Sequence, residues 1–107
     1  KFGCNELDEK NWAVDFGGLK PLKKWLEDNF DHKTAIDKND PHLDKFMELQ
    51  SHDLCEVVVM DGVGAEKFAE HAFNYADALV RGLTNGRCYC VSAECAEHGS
   101  NSAIYEA

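Results

Sequence analysis

The chain has 107 residues, 44% of them hydrophobic, with its aromatic side chains spread along its length. This fits one folded domain over residues 1–107 and argues against disorder. Twenty acidic residues against eleven basic ones give a formal charge of −9, and no basic cluster stands out beyond Lys20, Lys23 and Lys24, which speaks against nucleic acid or an anionic membrane as the main partner. No apolar run approaches the roughly 20 residues that span a bilayer, and nothing at the start resembles a signal peptide, so the expected location is the cytoplasm.

Five cysteines, at positions 4, 55, 88, 90 and 95, are an odd number without paired CxxC or C2H2 spacing. Small packed thiols in a reducing compartment are expected rather than a disulfide framework or a zinc ribbon. The chain opens on Lys1, and "KFGC" reads as the end of a strand. The expectation is a domain that is incomplete at its N-terminus, with a sheet edge left unpaired.

"NWAVDF" (Asn11 to Phe16) alternates enough to predict a strand, with Trp12 and Val14 on one face. Asp15 is placed to cap the helix that follows, because Leu19, Leu22, Trp25, Leu26 and Phe30 recur at helical spacing and Pro21 sits in the first turn. "DPHLDKFMELQSH" predicts a shorter helix begun by Asp40 and Pro41, with Leu43, Phe46, Met47 and Gln50 inward. "LCEVVVM" (Leu54 to Met60) reads as a short strand.

The strongest helix signal runs from Ala65 to Leu83, where Ala65, Phe68, Ala69, Ala72, Phe73, Ala76, Leu79, Val80 and Leu83 repeat every three or four residues. Gly86 suits the left-handed conformation beyond its end. From Arg87 a long strand, a turn at "HGSNS" and a final strand "AIYEA" complete an α+β domain with an antiparallel sheet, since a short turn joins the last two strands.

Three places can carry chemistry. Asp31-His32, at the end of the first helix, pairs a carboxylate with an imidazole that can accept and return a proton, or it is a helix end whose histidine favours the dipole. Glu66, after "DGVG", opens the long helix as a first-turn acid or as a site group. In "SAECAEH", strand parity sets Ala93, Cys95 and Glu97 against Ser92, Glu94 and Ala96. At least one acid then points at protein, where it needs an internal donor or a ligand bearing N–H groups; the alternative is an edge strand with solvated acids.

Four segments in register, "NWAVDFGGLK" (Asn11 to Lys20), "FDHK" (Phe30 to Lys33), "GAEKFAE" (Gly64 to Glu70) and "EHGSNSAIYE" (Glu97 to Glu106), resemble the 6-pyruvoyl-tetrahydropterin synthase family, which includes 6-carboxy-tetrahydropterin synthase. The resemblance implies the T-fold: an antiparallel sheet with two main helices on one face, assembled as homo-oligomers, trimers that stack into hexamers. It also implies a lyase acting on a small-molecule pterin. The substrate would be dihydroneopterin triphosphate and the product 6-carboxy-tetrahydropterin, on the path to queuosine and other 7-deazaguanine compounds, or 6-pyruvoyl-tetrahydropterin. A non-catalytic pterin-binding or assembly T-fold protein is the alternative.

By the same resemblance, Asp31 and His32 belong to a Cys-Asp-His proton-transfer arrangement. Glu97, eight positions before Tyr105, anchors the pterin by accepting two parallel N–H bonds, a geometry that suits one carboxylate and one planar heterocycle. Glu66 matches the glutamate of a PTxE-like segment near the same pocket, beside Ala65; Val63 and Gly64 stand where the family has Pro and Thr, so no threonine contact carries over. The family's zinc ion has ligands in AAH-like and HGH motifs upstream of "DFGGLK". Here the histidines are His32, His42, His52, His71 and His98, with no HxH pair, so Zn2+ is implied by the family while its ligands are not in this sequence.

Overall fold

The computed structural model describes residues 1–107. In chain order it holds strand β1 (Phe2–Cys4), a 3-10 turn (Phe16–Leu19), helix α1 (Lys20–Phe30), strand β2 (Thr34–Asp37), helix α2 (Leu43–Ser51), strand β3 (Val57–Met60), helix α3 (Ala65–Thr84) and strands β4 (Cys88–Cys90), β5 (Ser92–His98) and β6 (Asn101–Glu106). The fold is a mixture of helices and strands, as expected, although it has three helices and its strands pair in three separate twos.

Helix α3 is the centre of the domain. Ala65, Ala69, Phe73, Ala76 and Val80 are its buried face, the spacing that a single amphipathic stripe produces. Two small clusters form on that stripe: Val14 and Cys88 against Val80, and Cys90 against Phe73 and Ala76. Aromatic contacts extend the packing. Trp25 of α1 stacks on Tyr75 with ring centres 4.7 Å apart, and Phe73 meets Tyr105 of β6 edge-on at 5.0 Å. The helix ends at Asn85, which adopts the left-handed conformation at φ 51° and donates its N–H to Arg81, with Gly86 continuing at φ 82°.

The strand expected over Asn11–Phe16 does not form. One oxygen of the Asp8 carboxylate accepts the N–H groups of both Lys10 and Trp12 at 2.9 Å, and Asn11 takes φ 63°, so the segment closes as a side-chain-held turn instead of joining a ladder. Asp15 does act as a cap, accepting the N–H of Gly17 at 2.9 Å, but it caps the 3-10 turn that leads into α1. Met47 of α2 is exposed, whereas Leu43, Phe46 and Gln50 are half-buried, and the Gln50 side chain accepts the N–H of Val57 at 2.6 Å.

The antiparallel expectation also needs correction. β2 and β3 are parallel, with Thr34 opposite Val57 and Asp37 opposite Met60, and α2 supplies the crossover that parallel strands require. β1 with β4 and β5 with β6 are antiparallel. The long strand expected from Arg87 is interrupted at Val91, where the chain changes partner: its N–H goes to the Lys1 carbonyl and its own carbonyl takes the N–H of Ala107. Asp77 of α3 braces this junction, accepting the N–H of Cys90 at 2.9 Å and the Arg81 guanidinium at 2.9 Å.

Ten residues in all are buried, and Phe16, Leu54 and Ile104 are left largely exposed at 78%, 70% and 59%. No helix is long and apolar enough to cross a membrane.

Candidate functional site

Glu66 owes its position to the loop before it. Gly62 and Gly64 sit at φ 94° and 112°, conformations that L side chains rarely adopt, and they turn the chain from β3 into α3. Gly64 brings no side-chain cap, and the first helical bond is Phe68 N–H to the Gly64 carbonyl at 2.8 Å. The N–H groups of Ala65, Glu66 and Lys67 therefore point out of the helix end without a helical partner. His71 ties the loop down: its Nε2 stands 3.2 Å from the Gly62 carbonyl, and since a carbonyl only accepts, that nitrogen carries the proton. The Lys67 stem lies over Gly62 so closely that an added Cβ would meet Cγ at 2.9 Å.

Glu97 comes from the other side. In the β5–β6 hairpin Cys95 pairs with Ala103 and Ala96 with Ser102, after which His98 pairs with Asn101; Glu97 is the extra residue of a bulge. The bulge breaks the parity that placed Glu97 with Ala93 and Cys95. Those two are half-buried while Glu97 and Glu94 are both exposed, so neither acid is buried as expected. Re-aimed in this way, Glu97 faces Glu66 across a recess of about 340 Å³ lined also by Ala65, Ser100, Asn101 and Ser102.

The turn residues of that lining were visible in sequence only as a turn; their short polar side chains in "GSNS" were the available signal. His98 holds the turn. Its Nδ1 accepts the Ser100 N–H at 3.3 Å, so in the neutral ring Nε2 is the protonated nitrogen. The Asn101 side-chain nitrogen Nδ2 is placed 3.1 Å from Nε2; because Nε2 carries the proton, the amide is assigned the flipped orientation, oxygen to the ring and NH2 outward.

Cys95, two residues before Glu97 in β5, lies outside the recess lining but within reach of the charges of both carboxylates. Burial pushes its thiol above the usual range, and the charges of Glu97 and Glu66 push in the same direction. The recess thus has two carboxylates, unpaired helix N–H groups and amide and hydroxyl donors around one opening. It can hold a planar polar ligand that offers N–H groups to Glu97 and acceptors to the helix end.

Asp31 and His32 fall outside this lining. They follow α1, with Asp31 Oδ1 3.6 Å from His32 Nε2, and the His32 side chain is 93% exposed. His32 has φ 56°, a left-handed conformation at the exit from the helix. Nowhere do three His, Cys, Asp or Glu side chains converge as a metal would require. His71 and His98 are engaged with the Gly62 carbonyl and the β5–β6 turn. The residues present do not fit a zinc ion.

The fold and the recess define a small α+β domain with a two-carboxylate polar site. The chain belongs to the 6-pyruvoyl tetrahydropterin synthase family, whose profile matches residues 1–107. Over 46 residues, 42% of this chain and 33% of the relative, it is 35% identical to a 6-carboxy-5,6,7,8-tetrahydropterin synthase of Rickettsia conorii. The proteins of the same name from Rickettsia typhi and Rickettsia felis match over equal shares at 37% and 33% identity. The match spans about a third of the length of these curated relatives. No solved structure matches.

Proposed function

We propose that the chain is the pterin-holding part of a tetrahydropterin synthase-like lyase acting on dihydroneopterin triphosphate. The single observation that carries this reading is the meeting of Glu66 and Glu97 at one recess in a chain of this family. Glu97 accepts the paired N–H groups of the pyrimidinone edge, the Ala65 and Glu66 end of α3 receives an acceptor of the same ring, and Glu66 takes a remaining donor.

The names of the three relatives favour 6-carboxy-tetrahydropterin as the product, hence a place on the route to queuosine, over 6-pyruvoyl-tetrahydropterin. Asp31 and His32 are the proton-carrying pair in this reading, with the aspartate stabilising the charged imidazole. Because they lie outside the recess of their own chain, the reading includes a homo-oligomer, the trimer or hexamer of a T-fold, in the cytoplasm. Zinc, which the resemblance implies, finds no ligand set among these 107 residues.

The test is a fluorescence titration of the chain with neopterin, followed by incubation with dihydroneopterin triphosphate and measurement of released triphosphate and of the pterin product. Binding with release supports the lyase, and the product separates the two reactions. Binding without release, with zinc supplied as well as without it, returns the non-catalytic pterin-binding protein, and no binding removes the site.

A further inference from the structure

The thiols of Cys4 and Cys88 are not used by the site, yet they oppose each other across the β1–β4 ladder. In an antiparallel pair, hydrogen-bonded and non-hydrogen-bonded positions alternate. Asn5 donates to the Arg87 carbonyl at 2.9 Å and Val91 donates to the Lys1 carbonyl at 2.8 Å. With Phe2 opposite Cys90, Gly3 opposite Tyr89 and Cys4 opposite Cys88, these bonds put the odd positions of β1 at hydrogen-bonded sites. Cys4 and Cys88 are therefore a non-hydrogen-bonded pair, the kind whose Cα atoms stand about 4.5 Å apart, inside the roughly 4.4–6.8 Å that a disulfide spans.

Direction agrees with separation. Cys4 packs against the same buried cluster, Val14 with Val80, that contains Cys88, so both side chains leave the ladder on the side of α3. Cys88 is only 1% exposed and its Sγ lies 2.9 Å from the Ala13 carbonyl, whereas Cys4 is half-buried. An oxidant thus reaches Cys4 first. The remaining thiols are differently placed: Cys90 faces Phe2, Cys95 lies in β5 opposite Ala103, and Cys55 precedes β3.

We propose that Cys4 and Cys88 form a built site for peroxide oxidation to an intrachain disulfide that staples β1 to β4. The Cys4 thiolate attacks one oxygen of hydrogen peroxide; the O–O bond breaks, Cys4 becomes a sulfenic acid and the second oxygen leaves as water after taking a proton. Cys88 sulfur then attacks Cys4 sulfur, the S–O bond breaks, and a second water leaves carrying the Cys88 proton. Two thiols lose two electrons in total and one peroxide gains them. Closing a loop over most of the chain restricts the unfolded ensemble, and the staple lies just before the strand that carries Glu97.

The test uses the reduced chain treated with graded hydrogen peroxide, trapped with an alkylating reagent and digested with trypsin, which leaves Cys4 alone in the Phe2–Lys10 peptide. The expected product is that peptide joined to Cys88–Ala107, with fragmentation placing the bond on Cys88. The oxidised protein should show a higher denaturant midpoint that returns to the starting value with dithiothreitol. Cys4→Ser should show neither change, and Cys90→Ala should still form the link. Joining of Cys4 to Cys90 or Cys95, a Cys4 sulfinic acid without a link, a disulfide between two chains, or thiols unchanged by peroxide would each overturn the proposal.

Discussion

Glu97 occupies the extra position of a β-bulge and thereby faces Glu66, the second residue of α3, across one polar recess. Strand and helix each supply one carboxylate, and neither is consumed by an internal ion pair. If Glu97 holds a pterin edge, Glu97→Gln keeps the shape but turns half of its accepting capacity into a donor. Hydrogen bonds to a charged group contribute about 1.5–3 kcal/mol, so neopterin affinity should fall roughly 10- to 100-fold with no change in thermal unfolding. Wild-type affinity in that variant, measured by fluorescence titration, would remove Glu97 as the anchor.

Thiol ionisation gives a prediction of stability at alkaline pH. Burial is the first cause raising both the Cys90 and the Cys95 thiols, with Asp77 adding its charge at Cys90, and Glu97 and Glu66 theirs at Cys95. The folded state therefore keeps these protons longer than the unfolded chain does. Their contribution is fully present below the ordinary thiol value of 9.0 and is lost as pH rises through the higher folded values, because the unfolded chain ionises first. Denaturant midpoints measured from pH 7 to pH 10 should fall at the alkaline end, and less steeply in a Cys90→Ala, Cys95→Ala double variant. Equal slopes in the two proteins would exclude the thiols as the cause.

The sequence was most informative where one periodicity ran long. Helix α3 was legible because its stripe repeats from Ala65 to Val80 and packing rewards all of it. Asn11–Phe16 misled because alternation over six residues costs little to imitate, and Asp8, three positions upstream, captured the N–H groups that a ladder would need. β2 was missed: "TAID" is four residues, and its parallel partner Val57–Met60 is fixed by a crossover whose geometry no local pattern encodes. Within the site, Glu66, Ala65 and Glu97 were found, while Ser100, Asn101 and Ser102 were not. The bulge that brings the two groups together is set by hairpin closure at His98 and Asn101, which strand parity does not anticipate.

Asp77 is the main polar tie between α3 and β4. Burial works against its charged form, but the Cys90 N–H and the Arg81 guanidinium outweigh this and hold the carboxyl below its usual range. Such a group contributes stability that is present above the ordinary aspartate value of 3.8 and is lost as pH falls through the lower folded value. Asp77→Ala leaves the Cys90 N–H without its acceptor and should cost about 1–3 kcal/mol. Asp77→Asn, which keeps an acceptor oxygen, should cost less and should remove part of the acid dependence. Urea titrations at pH 7 and at steps down to pH 2 would decide it: an alanine variant as stable as the parent at pH 7 would exclude the brace.

His32 separates binding from turnover. Its side chain is almost wholly exposed and makes no bond beyond Asp31 at 3.6 Å, so replacing it should disturb neither the core nor the recess. Its φ of 56° is strained for any residue with a Cβ, hence His32→Gly should fold at least as stably as His32→Ala. If the imidazole carries the proton, both variants should bind neopterin with unchanged affinity and should release triphosphate roughly 10²- to 10⁴-fold more slowly, the usual contribution of a general acid–base group. Comparing the two variants isolates the chemistry from the backbone, since they differ in strain but equally lack the ring. Turnover recovered in the glycine variant alone would assign the effect to backbone conformation, and parental turnover in both would remove His32 from the reaction.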